Sequence, residues 1–134
     1  MEEVLDNDLN SIGSNAPIVT KDKAIFNFSK LSQTELTAKF GSFLGNKGYK
    51  LEEGEPHDGK YGKGSRIGRI LLGAFIKRFA WRVTISPNEG MTELILFKEA
   101  KGYVGGAIGV SQVNKEFKSI VNSLTQFHLT QETE

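Results

Sequence analysis

Between Phe75 and Ser86 the chain alternates: Phe75, Lys77, Phe79, Trp81, Val83 and Ile85 share one face of an extended backbone, and Ile76, Arg78, Ala80, Arg82 and Thr84 share the other. Period two in aromatic and β-branched residues predicts a half-buried strand over 75–86. Its Phe79-Trp81-Val83-Ile85 face is the expected floor of the core, and its Arg78-Arg82-Thr84 face is expected to meet water or a partner. Pro87-Asn88-Glu89-Gly90 predicts a tight turn and Met91–Lys98 the returning strand. Leu94, Ile95, Leu96 and Phe97 are consecutive apolar residues, which predicts a central strand covered on both faces. Upstream, residues 49–53 alternate and begin the sheet, and the Gly-rich, charged stretch 54–64 predicts a turn or long hairpin tip in which residues 60–63 pair as a short strand. Residues 24–28 predict an edge strand with Phe26 and Phe28 on one face. Residues 64–73 mix helical and strand spacing and are read as a kinked strand.

The period changes to that of a helix in two places. Ser32 and Glu35 form a capping box and Leu31 and Leu36 a hydrophobic staple, and Leu36, Phe40, Phe43 and Leu44 then recur on one stripe until Gly45 or Gly48 supplies a left-handed stop. This predicts a first helix over 33–46. Ser111 is placed to cap a last helix over 111–127, with Val113, Phe117, Ile120, Val121, Leu124 and Phe127 on its apolar stripe. Residues 1–20 carry Glu2, Glu3, Asp6 and Asp8 with no sustained periodicity and are expected to form a disordered acidic tail; residues 129–134 are expected to fray. No internal repeat stands out. The expected architecture is a single α+β domain over 21–128: an antiparallel sheet of four or so strands with an N-terminal and a C-terminal helix packed on one face.

Composition narrows the function classes more than it selects one. In 134 residues there is no cysteine, which removes disulfides, thiolate metal sites and cysteine nucleophiles together and fits a reducing compartment, with the cytoplasm as the default expectation. The start is acidic rather than a secretory leader, and the longest apolar run, residues 70–76, is far short of the ~20 residues needed to cross a bilayer. His57 and His128 stand too far apart to predict a metal site. No nucleophile or carboxylate pair has a spacing that predicts a catalytic cleft, so a non-catalytic protein without a cofactor is expected. The loop 102–109, with Gly102, Gly105, Gly106 and Gly109, lacks the Lys-Ser/Thr that a phosphate-binding loop requires and is read as a sharp reversal before the last helix.

Charge is where the chain is uneven. The net charge is +1, yet Lys60, Lys63, Arg66, Arg69, Lys77, Arg78 and Arg82 occur with no Asp or Glu between Asp58 and Glu89. Such a patch predicts a binding face for an anionic macromolecular partner, carried by Lys60, Lys63, Arg66, Arg69, Arg78 and Arg82; the partner classes are an acidic protein, an anionic membrane surface or nucleic acid. Two readings compete with it. Glu52, Glu53, Glu55 and Asp58 lie just upstream and are able to neutralise the patch across the sheet. Rings and charges in 75–86 fall on opposite faces, which argues against base stacking along this strand. The alternative function is a small apolar-ligand or lipid binder, with a cavity between the C-terminal helix and a curved sheet lined by some of the nine phenylalanines.

Overall fold

The computed structural model describes residues 16–64, 79–98 and 110–133. In chain order these form strands β1 (Ile18–Val19) and β2 (Lys23–Phe28), helix α1 (Gln33–Asn46), strands β3 (Lys50–Glu55), β4 (Asp58–Lys63), β5 (Phe79–Asn88) and β6 (Met91–Lys98), and helix α2 (Val110–Thr133). The strands make one antiparallel sheet in the order β1-β2-β6-β5-β4-β3. The class is therefore α+β as expected. Among the described residues the sheet has six strands rather than about four, and the first helix follows two strands instead of leading the domain.

Both helices pack on the same sheet face, because one face of every long strand is apolar. Phe26 and Phe28 of β2, Leu94 and Leu96 of β6, and Phe79, Trp81, Val83 and Ile85 of β5 point toward Leu36, Phe40 and Leu44 of α1 and Phe117, Ile120 and Leu124 of α2 in a single core. Burying each of these side chains contributes about 1.5–3 kcal/mol against exposure. Phe43 is only partly buried, stacked on Phe40 with ring centroids 5.8 Å apart. The expected strand face over 79–85 is thus the core face, and β6 is central in the sheet. Its outer face is only half covered: Leu94 and Leu96 are buried, while Ile95 and Phe97 are half-buried.

Local sequence explains the ends of α1. The Ser32 hydroxyl accepts from the Glu35 amide at 3.1 Å, and the Glu35 carboxylate accepts from the Ser32 amide at 3.0 Å, which completes the capping box. Gly48, at φ 91°, takes the left-handed conformation that ends the helix. Thr92, buried on β6, donates its hydroxyl to the Leu31 carbonyl at 2.7 Å and so ties this helix start to the sheet. Replacing Ser32 by Ala is expected to lower stability by about 1 kcal/mol. Urea denaturation followed by circular dichroism measures this, and an unchanged midpoint would contradict it.

Four boundaries differ from the sequence reading. Ile18–Val19, inside the expected tail, pair with Ala24 and Ile25, so β2 is second from the edge rather than the edge itself. The long hairpin tip is a turn at Pro56 and His57 with six-residue strands on both sides. The turn after β5 lies at Glu89 (φ 51°) and Gly90 (φ 82°), a pair of positive values that suits the twist of a hairpin. Helix α2 begins at Val110, which puts Ser111 inside it rather than at its cap, and runs to Thr133 rather than ending at residue 127.

The extension of α2 has a physical cause. Beyond the short β1, the outer edge of β2 would leave backbone groups unpaired, and α2 covers them. His128, buried, sets Nε2 2.8 Å from the Asn27 carbonyl, so Nε2 carries the proton that is donated. Glu132 accepts from the Ser29 amide at 3.0 Å and from its hydroxyl at 2.7 Å. The His128 ring also meets the rings of Phe26 and Phe28 edge-on at 5.6 and 4.8 Å. The kinked strand, the first part of the 75–86 strand and the glycine loop 102–109 lie outside the described residues.

Candidate functional site

The sheet face turned away from the helices is built by the other half of each strand's alternation. On β4, Tyr61 points toward the helices and Lys60 away from them; on β5, Arg82 lies directly opposite Lys60. Arg82 is opposite Phe97 of β6, and Phe97 is opposite Lys23 of β2. One row therefore crosses four strands as Lys23, Phe97, Arg82 and Lys60, with Glu53 of β3 beyond it. The neighbouring row holds Ile25, Ile95 and Thr84, all half-buried.

Electrostatics along the row are partly answered within the sheet. Lys60 Nζ lies 3.2 Å from Glu53 Oε2, and Arg82 Nη2 donates to Asp58 Oδ1 at 2.7 Å. The Arg82 and Asp58 side chains are 51% and 54% exposed, and such exposed pairs contribute only about 0–1 kcal/mol each. The Lys60 side chain is 12% exposed, which makes it the more deeply held of the two cations.

Lys63 does not belong to this face. It lies three positions after Lys60, an odd step that turns it to the helix side. There its Nζ lies 3.4 Å from Glu116 Oε2 of α2 and 5.4 Å from the centroid of the Tyr49 ring, and the same carboxylate oxygen accepts from the Tyr49 hydroxyl at 2.7 Å. Lys98 behaves similarly, donating to Asn114 Oδ1 at 2.6 Å above the Phe117 ring. Of the six residues expected to form the binding face, Lys60 and Arg82 are adjacent, Lys63 is on the opposite side, and Arg66, Arg69 and Arg78 lie outside the described residues. Lys23 and Phe97 were not in the expected set. Alternation with the core residues Ala24 and Leu96 is the signal that places them on the outer face.

A second concave feature lies between α1 and the β3–β4 hairpin. This open groove of about 720 Å³ is lined by Thr34, Ala38 and Gly41 of α1 and by Leu51, His57 and Tyr61. The Tyr61 hydroxyl donates to the Pro56 carbonyl at 2.8 Å, and burial raises its pKa above the ordinary tyrosine value, so the donor stays protonated. The His57 ring is exposed and its carbonyl accepts from the Ile85 amide at 2.7 Å, which fixes the turn. Among the described residues no three His, Cys, Asp or Glu side chains converge on a position for a metal ion, and no helix is long and apolar enough to cross a membrane. Where the alternative reading places an apolar cavity, between α2 and the sheet, Trp81, Phe117, Ile120 and Leu124 pack into the core, with the Trp81 and Phe117 centroids 5.7 Å apart. No family model, curated protein or solved structure matches the chain, so the functional reading rests on its own residues.

Proposed function

We propose that the protein is a non-catalytic binding module that meets an anionic macromolecular partner with the sheet face opposite its helices. The observation that carries this reading is the row Lys23, Phe97, Arg82 and Lys60, in which a half-buried ring lies between cations on neighbouring strands. Ring and charge, segregated along β5, are combined across strands. A cation row of this kind attracts phosphate or carboxylate groups, and the ring offers an apolar contact beside them. The weak, exposed Arg82–Asp58 pair leaves that guanidinium able to change partners. Residues Arg66, Arg69 and Arg78 are proposed to add to the same positive field.

Lys23→Gln combined with Arg82→Gln tests the reading without touching the core. Binding to single-stranded DNA, RNA and vesicles of anionic lipid is measured at several salt concentrations. The double variant is expected to bind more weakly and, with nucleic acid, to flatten the salt dependence by about one unit of logarithmic slope for each phosphate that is no longer neutralised. Equal affinity and slope in the variant and the parent would contradict the reading.

A further inference from the structure

The row on the outer sheet face is not uniform along its length. Lys60 and Arg82 each have a carboxylate beside them, from Glu53 and Asp58, whereas the Lys23 ammonium has none among the described residues. Phe97 lies between Lys23 on β2 and Arg82 on β5 and is directly opposite both. Neighbouring strands are about 4.8 Å apart, so the two cations leave the backbone about 10 Å from each other with one ring between them. The order cation, ring, cation thus runs across the strands rather than along any one of them.

Resting on the anion-binding face proposed above, we infer that its partner is a single-stranded nucleic acid lying across the strands, with one base stacked on Phe97 and the phosphates on either side of that base held by Lys23 and Arg82. The repeat of the ligand carries the choice. A polynucleotide presents a phosphate, then a flat ring, then a phosphate, which is the order of the row. An aromatic side chain accepts any base by stacking, and cations beside it neutralise the backbone. The base has to be unpaired, because within a duplex its two faces are already stacked on its neighbours. An anionic bilayer fits less well. The exposed large apolar side chains among the described residues are Ile18, Val19, Leu51 and Leu129, none of which belongs to the row, and Phe97 is half-buried between its neighbours rather than a projecting anchor. Carboxylates on an acidic protein answer the two cations but not the ring between them. Rings and charges are segregated along β5, so only a ligand that crosses the strands meets both.

The test measures binding of the full chain to a short oligothymidylate, to an oligouridylate, to an abasic deoxyribose-phosphate oligomer of the same length and charge, and to vesicles containing phosphatidylserine. The parent is expected to bind the base-bearing oligomers about tenfold more tightly than the abasic one, and the tighter of the two tells DNA from RNA. Phe97→Leu keeps an apolar side chain and removes the aromatic face, so it is expected to erase that preference while abasic binding stays as in the parent. Phe97→Tyr is expected to keep the preference, and Lys23→Gln to weaken base-bearing and abasic oligomers alike. Equal affinity of the parent for base-bearing and abasic oligomers, or a preference that survives Phe97→Leu, overturns the inference and leaves the anion-binding face standing. Binding to the vesicles alone overturns it in favour of a membrane surface. Binding to none of these polyanions overturns both the inference and the reading on which it rests.

Discussion

Trp81→Ala is expected to remove about 3–5 kcal/mol of folding stability, a large part of the roughly 5–15 kcal/mol that holds a domain folded. Trp81 is fully buried, and its ring lies 5.7 Å from Phe117 of α2 and 6.3 Å from both Tyr49, which precedes β3, and Phe79 of β5. It therefore joins the sheet to the last helix and to the segment leaving the first one. Truncation leaves a cavity at the point where three elements meet, and rigid strands on either side limit how far the site can collapse. Trp81→Phe keeps an apolar ring and is expected to lose less. Urea midpoints by circular dichroism measure both variants, and Trp81, the single tryptophan, reports the parent directly. Its native emission is expected to be that of a dry ring, moving to longer wavelength on unfolding. A loss within about 0.5 kcal/mol, the range of ordinary surface changes, would contradict the placement of this ring.

Gly59→Ala is expected to cost about 1–3 kcal/mol although alanine is no worse a strand former than glycine. A Cβ at Gly59 collides with the Glu53 carbonyl oxygen and comes to 2.6 Å from the Glu55 carbonyl oxygen and 2.8 Å from Leu51 Cδ1. Two of these three obstacles are backbone, so no side-chain rotation relieves the clash and the hairpin must open. Gly54, directly opposite, is at φ 80° and has its own would-be Cβ 2.5 Å from the Asp58 carbonyl oxygen. The two glycines let β3 and β4 approach closely next to the Pro56–His57 turn. Thermal unfolding and the Leu51 and Tyr61 methyl and ring signals check this together: lower stability with shifted hairpin resonances is expected, and an unchanged spectrum would contradict it.

Much of this fold was legible in local pattern. The helix 33–46 was readable to the residue because the capping box, staple, apolar stripe and terminal glycine all agree. The β6 boundaries and the core face of β5 followed from alternation between a turn and a charged flank. What was illegible depended on partners distant in sequence. Ile18–Val19 carries no strand signal beyond its two β-branched residues and is a strand because Ala24 and Ile25 offer an edge. His128 and Glu132 continue α2 because Asn27 and Ser29, about a hundred residues earlier, require a donor and an acceptor. For the candidate site, the charge run in sequence gathered Lys60, Lys63 and Arg82 into one patch, whereas the pleat separates Lys63 from the other two and brings Lys23 into their row. Linear charge density records neither the alternation of faces nor the cross-strand neighbours.

Chemical-shift mapping of the full chain with single-stranded DNA, RNA and anionic vesicles, at low and at high salt, tests the proposed binding face most directly. The predicted result is a set of salt-sensitive shifts centred on Lys23, Lys60, Arg82 and Phe97, with Lys63 and Lys98 on the helix side unaffected. Silence toward every polyanion at low salt, or shifts gathered around Lys63 and Glu116 instead, would contradict it.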